Sequence, residues 1–182
     1  MAETGLHRPK QPQVIRERLL SACVELLAEG VPLSIGEVAT LAGVTKGAVQ
    51  HHFGTREALL MALYDELERQ FVQQVQTAGS GLSAAGAYVV ATVNARSDAE
   101  LSRSWRALLV ACVIDRALAT RWSTWTQANR QLDGDGVNGK MVARLAADGL
   151  WLSDMLGTNE LTATERESLR TQLLQLSEKE PG

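Results

Sequence analysis

The sequence predicts an all-α protein of about nine helices: an N-terminal three-helix helix-turn-helix domain followed by a C-terminal helical bundle. Three observations carry that reading. Apolar residues recur at three- and four-residue spacing through nearly the whole chain. No segment alternates apolar and polar residues in the manner of a strand, and no internal repeat stands out. Gly, Pro and capping residues cut the periodic stretches into helix-sized pieces.

The elements follow in order. Met1–Gln13 carries Pro9 and Pro12 and no apolar block, which excludes a secretory signal and predicts a flexible arm over residues 1–13. Val14–Glu29 is the first helix, with an apolar stripe of Val14, Leu19, Ala22, Cys23, Leu26 and Leu27; Gly30 closes it and Pro32 prevents its continuation. Ser34 with Glu37 forms a capping-box pattern opening a second helix, whose apolar face is Ile35, Val38, Ala39 and Ala42. Gly43 ends it, since a left-handed residue just past a helix end is free of Cβ strain only in glycine. Thr45 is the N-cap expected for a third short helix through Phe53. Thr55 opens the fourth, running to about Gln76 with an apolar face of Leu59, Leu60, Leu63, Leu67 and Phe71.

Thr77-Ala78-Gly79-Ser80-Gly81 is the clearest boundary. Beyond it, Leu82–Asn94 is small and apolar and is expected at the centre of the bundle. Ser97 with Glu100 suggests a capping box for a helix to about Ile114. Leu118–Leu132, Val137–Leu156 and Thr162–Ser177 complete the series, the last capped by Thr162 with Glu165. The expected organisation is an arm (1–13), a helix-turn-helix domain (14–58), a linking helix (59–77) and a sensing and dimerisation domain (82–182).

The short third helix buries Val49 and Phe53 and leaves polar or small side chains outward, which suits a DNA major groove. Lys46 can reach guanine acceptors or a phosphate. Gly47 and Ala48 let the backbone approach base edges. Thr45, Gln50, His51 and His52 can donate to phosphate oxygens, and Thr55 with Arg56 opens a helix whose N-terminus suits another phosphate. With Ser34 at the start of the second helix, these are the expected DNA-binding residues.

Leu33–Leu60 resembles the TetR family of bacterial transcriptional repressors. The resemblance is carried without a gap by Ser34, Val38, Ala39, Ala42, Gly43, Val44, Thr45, Gly47, Val49, His52, Phe53 and Glu57. Gln50 stands where the family usually has Tyr, and Ala48 where it often has Thr. The resemblance extends more weakly to Asp148-Gly149-Leu150-Trp151 and Asp154-Met155-Leu156-Gly157. It implies a cytoplasmic homodimer that binds a palindromic double-stranded DNA operator and is released from it by a small-molecule effector. It also implies that the last two helices pair with their mates. The expected interface is Val142, Leu145, Ala146, Gly149, Leu152 and Leu156 on one helix and Leu169, Leu173 and Leu176 on the next, although both stripes could instead face the chain's own core.

All four tryptophans lie in the second half, where an apolar or aromatic ligand would need such walls. The candidate pocket residues are Tyr88, Trp105, Arg106, Cys112, Trp122, Trp125 and Trp151, with Arg106 as the anchor for a carboxylate. The net charge is −3, and of the cations near the motif, Arg8, Lys10, Arg16, Arg18, Lys46 and Arg56, few can reach phosphates at once, which predicts modest DNA affinity per subunit. Cys23 and Cys112 fit no metal spacing and read as small buried hydrophobes. Neither a metal nor a cofactor is expected. His51 and His52 are adjacent and diverge by about 100° on a helix, which cannot present one ion to both. Asp133 and Asp135 read as turn residues. No nucleophile elbow, phosphate loop or paired-carboxylate pattern points to an enzyme. Two rivals stay open: a helical interaction module that kept the motif without DNA binding, and a small helical enzyme.

Overall fold

A computed structural model describes residues 12–95, 98–134 and 136–178. Among the described residues there are nine α-helices and no strand: α1 (Pro12–Ala28), α2 (Ile35–Ala42), α3 (Lys46–Phe53), α4 (Arg56–Ala78), α5 (Ala84–Asn94), α6 (Ala99–Ile114), α7 (Arg116–Gln131), α8 (Gly139–Leu156) and α9 (Ala163–Glu178). Several boundaries differ from those expected. Pro12 starts α1, two residues before the expected Val14, because its fixed φ and missing N–H suit the first turn. Asp98 caps α6 by accepting from the Glu100 and Leu101 amides, while the expected cap, Ser97, lies outside the described residues. Asp115 caps α7 in the same way, and Asn138 caps α8, which leaves Val137 exposed ahead of the helix.

Backbone contacts divide the chain into two units between Leu63 and Tyr64, within α4. The first unit is held by buried apolar residues from each of its helices, among them Leu19, Cys23 and Leu27 of α1, Val38 of α2, Val49 of α3 and Leu59 and Leu63 of α4. Val14, expected in the apolar stripe, is instead exposed. Gly43 ends α2 at φ +64 and returns its amide to Ala39 and Thr40 carbonyls. The Arg18 guanidinium of α1 donates to the Ala42 carbonyl, one of the carbonyls a helix C-terminus leaves over.

In the second unit α5 is the central helix. Nearly every residue from Ala85 to Val93 is buried, as its small apolar composition predicts. One side of α5 packs with α8 and α9 through Val89, Val93, Ala143, Ala147, Leu150 and Leu173. The other side enters an aromatic cluster with Phe71, Tyr88, Ala91 and Trp105, against which Trp122, Trp125 and Trp151 pack. Phe71 is its hub, with ring centroids of Trp105, Trp125, Trp122 and Tyr88 at 4.7, 4.9, 5.0 and 5.7 Å. Thr162 and Glu165 form a complete capping box at the start of α9. The Ser34 box is half made: Ser34 Oγ accepts from the Glu37 amide, and the Glu37 carboxylate returns no bond.

Candidate DNA-contact face and interior cavity

In the first unit α3 turns Val49 inward and leaves Lys46, Gly47, Gln50 and His51 exposed, with Ala48 and His52 half-buried. That division follows from the helical period, since the residues flanking Val49 point away from the side that packs. Thr45 Oγ1 accepts from the Ala48 amide at 3.1 Å and Thr55 Oγ1 from the Ala58 amide at 3.1 Å. Both hydroxyls keep a proton that can be donated outward. Ser34 likewise spends its acceptor on its own helix.

The cations near this face divide into structural and free. Arg18 is tied to the Ala42 carbonyl. Arg16 lies over the Phe53 ring, 5.2 Å from its centroid. Arg56 donates from Nε to the Leu33 carbonyl at 2.7 Å, so the guanidinium expected at a phosphate also staples the loop before α2. Among the described residues of this unit, Lys46 is the one cation without a protein partner. Its stem lies against Gly36, where a Cβ would come within 3.2 Å of Lys46 Cε. Gly36 costs α2 helix propensity, and the bare backbone leaves room for the lysine.

In the second unit a cavity of about 450 Å³ opens between α5, α6, α7 and α8, within the size range of small-molecule sites. Tyr88, Trp122 and Trp151 line it, together with Leu109, Ser123, Thr126, Gln127, Arg130, Met141, Arg144, Leu145, Asp148 and Leu152. A small inner recess continues to Phe71, Thr92, Trp105 and Leu108. Two other hollows, of about 670 and 530 Å³, are each lined by one helix alone, α9 or α4, and are surface grooves.

Four of the seven expected pocket residues therefore meet: Tyr88, Trp122 and Trp151 at the cavity and Trp105 in its recess. Three do not. Arg106 follows Trp105 by one position, about 100° around α6, and is exposed with its guanidinium donating to the Met155 carbonyl. Cys112 lies two turns beyond Trp105, and burial pushes its thiol up to about 11. Trp125 is spent on Phe71 and on stacking with Trp122.

Sequence reasoning missed the polar floor of the cavity. Asp148 accepts from the Tyr88 hydroxyl at 2.5 Å. Burial raises the Asp148 carboxyl above its ordinary range, while the Tyr88 hydroxyl and Arg144 oppose the rise. Burial first, and then the neighbouring Asp148 charge, also holds the Tyr88 phenol well above its usual value. Arg144 sits over the Tyr88 ring at 4.8 Å and is engaged by Asp133, which accepts from Nε at 2.8 Å and Nη2 at 2.6 Å. Asp133 in turn accepts from the Ala85 amide at the start of α5. A signal was present: Asp148 is an acid inside an otherwise apolar helical stretch, one turn from Trp151.

The dimer stripe divides. On α8, Val142, Leu145, Gly149, Leu152 and Leu156 are exposed and Ala146 half-buried. On α9, Leu173 is buried and Leu169 and Leu176 pack on the same core, so this stripe faces the chain's own interior. The two cysteines form no site: Cys23 is buried, which pushes its thiol up to about 12. Among the described residues no group of side chains could hold a metal ion, and no helix is long and apolar enough to cross a membrane.

Residues 19–63 match the family model described as bacterial regulatory proteins, tetR family, and residues 83–178 match one described as tetracyclin repressor-like, C-terminal domain. Three solved structures share the fold. A transcriptional regulator from Rhodococcus sp. Rha1 is 27% identical, with a TM-score of 0.65 over 88% of this chain and 95% of that one. A member of the TetR family from Streptomyces coelicolor A3 is 19% identical, with a TM-score of 0.67 over 89% and 97%. The multidrug binding protein EbrR complexed with malachite green is 20% identical, with a TM-score of 0.66 over 88% and 96%. No curated protein sequence matches the chain.

Proposed function

The chain belongs to the TetR family of bacterial regulatory proteins, and from that premise we propose that it is a homodimeric repressor released from a palindromic operator by a small molecule. The observation that carries the proposal is the outward face of α3. Lys46, Gly47, Gln50 and His51 are exposed on a short capped helix whose opposite side is anchored by Val49. A helix so divided can enter a major groove, where Lys46 reaches guanine or phosphate oxygens and Gly47 lets the backbone approach base edges.

Two such helices must meet successive major grooves, ~34–36 Å apart, which requires a two-fold assembly. The exposed apolar face of α8 supports that assembly, because Val142, Leu145, Leu152 and Leu156 leave an uncovered strip beside an exposed Gly149. The cavity supports a ligand. A molecule entering it can lower DNA affinity only by binding two conformations unequally, and ~1–3 kcal/mol of coupling changes affinity roughly five- to 150-fold. A ligand-bound relative, EbrR with malachite green, is consistent with an effector site in this fold.

The test is fluorescence anisotropy with a labelled duplex spanning the DNA upstream of the protein's own gene. Specific binding is expected, falling as salt rises because phosphate contacts release counterions. Lys46→Ala should weaken binding about tenfold and flatten the salt slope by ~1. Equal affinity for that duplex and for scrambled DNA, or an indifferent Lys46→Ala variant, would overturn the proposal.

A further inference from the structure

We propose that the cavity of the second unit takes a planar aromatic cation, with Asp148 as its counter-charge and Trp122 and Trp151 as its walls. The inference rests on the ligand-responsive reading above and narrows it to a chemical class.

The argument is one of charge left over. Three charged side chains line the cavity: Arg130, Arg144 and Asp148. Arg144 is already engaged by Asp133 through two hydrogen bonds, a pair with side-chain exposures of only 7% and 4%. Arg130 is exposed, so water screens it. Asp148 is the remaining charge; Arg144 acts on it through space but gives it no hydrogen bond. Its Oδ1 accepts from Tyr88, and no group among the described residues donates to its Oδ2. An ionised carboxylate in that position calls for a cation brought from outside.

The surroundings select the rest of the ligand. Trp122 and Trp151 supply indole faces, and a cation over an indole gains most when water is excluded. The recess behind them adds a second demand. The indole N–H groups of Trp105 and Trp151 are buried and donate to nothing, and Trp105 is 4% exposed. An acceptor on the ligand would satisfy them; neutral acridine offers one at its ring nitrogen and 10-methylacridinium does not, so a preference for the cation is the work of charge. A carboxylate ligand fits poorly: Arg106, its expected anchor, lies outside the cavity, and an anion deep in the site would meet Asp148.

The experiment uses full-length protein without DNA and three tricyclic probes of similar size: 10-methylacridinium, neutral acridine and anthracene-9-carboxylate. Binding at pH 7.5 is read by calorimetry and by quenching of tryptophan emission. The cation should bind about tenfold tighter than acridine, and the anion least. Asp148→Asn should remove the preference for the cation while acridine binds as to the wild type. Equal affinities for the three probes in the wild type, a preference for the anion, no binding of the cation, or an undiminished preference in Asp148→Asn would each overturn the proposal. If Asp148→Asn fails to fold, the ranking of the three probes on wild-type protein decides alone. Binding of acridine or the anion without the cation would sink this inference and leave a ligand-responsive regulator standing. Loss of specific DNA binding would sink that reading and leave the probe ranking untouched.

Discussion

Arg121 of α7 sits over the ring of Tyr64 of α4, its Cζ 4.5 Å from the ring centroid. The same guanidinium donates to Asp65 at 2.7 Å and to Glu68 at 2.8 Å. One side chain thus fastens the helix that walls the cavity to a full turn of α4. Tyr64 itself is buried. The ion pairs are partly exposed and worth ~0.5 kcal/mol each, and the cation–ring contact adds ~1 kcal/mol. Arg121→Ala is therefore expected to lower stability by about 1–2 kcal/mol in urea denaturation. A change within ~0.3 kcal/mol would show that the fastening is cosmetic.

Arg144 and Asp133 should behave differently because both are buried. Removing one partner leaves an uncompensated charge and typically costs about 3–5 kcal/mol. Arg144→Met should fall in that range. Combining it with Asp133→Asn, which keeps an acceptor for the Ala85 amide, should recover part of the loss. Equal instability of the single and double variants would refute a charge-based account.

Gly36→Ala separates stability from DNA contact. Replacing glycine inside a helix should stabilise by ~0.5–1 kcal/mol. The new Cβ would stand 3.2 Å from Lys46 Cε and 3.4 Å from Nζ, and the flexible lysine end must move away. A protein with a higher melting temperature and weaker DNA binding is expected, the loss bounded by the about tenfold effect of removing Lys46. Unaltered affinity in anisotropy titrations would mean that the lysine's resting place is irrelevant to binding.

The α8 face offers the cleaner test of pairing. Leu156 is 67% exposed, so Leu156→Asp should leave the fold intact and shift sedimentation toward monomer. Leu173→Asp should unfold the protein, because Leu173 is 5% exposed in the core of the second unit. A Leu156→Asp variant that remains dimeric would move the interface elsewhere.

Asp148 also makes a pH prediction. Its carboxyl is raised in the folded state, so the unfolded chain ionises first as pH climbs. The group contributes stability below the ordinary carboxylate range, ~4, and loses that contribution as pH rises through its folded value. Asp148→Asn should accordingly gain stability relative to wild type between pH 4 and pH 7.5. Urea midpoints that keep a constant gap across that interval would contradict the assignment.

The outward face of α3 was legible because its signals are local. Ser34, Gly43, Thr45 and Thr55 fall within a few residues of the groups they cap, and Val49 against Lys46 and Gln50 is a matter of helical period. The cavity was half legible. Aromatic residues clustered in the second half announced a pocket, and Tyr88, Trp105, Trp122 and Trp151 do converge. Arg106 and Cys112 fell outside because membership of one helix does not say which side, or which turn, meets a neighbour.

By itself, the chain's order of residues determined the helices, their caps and the outward set on α3, since each depends on interactions over three or four positions. Only tertiary structure decided that Arg144 answers Asp133, that Tyr88 answers Asp148 across 60 positions, and that the α9 stripe turns inward. Those outcomes depend on how separate helices lie against one another. Helical period leaves that arrangement open, because an apolar stripe is satisfied equally by the chain's own core or by a partner.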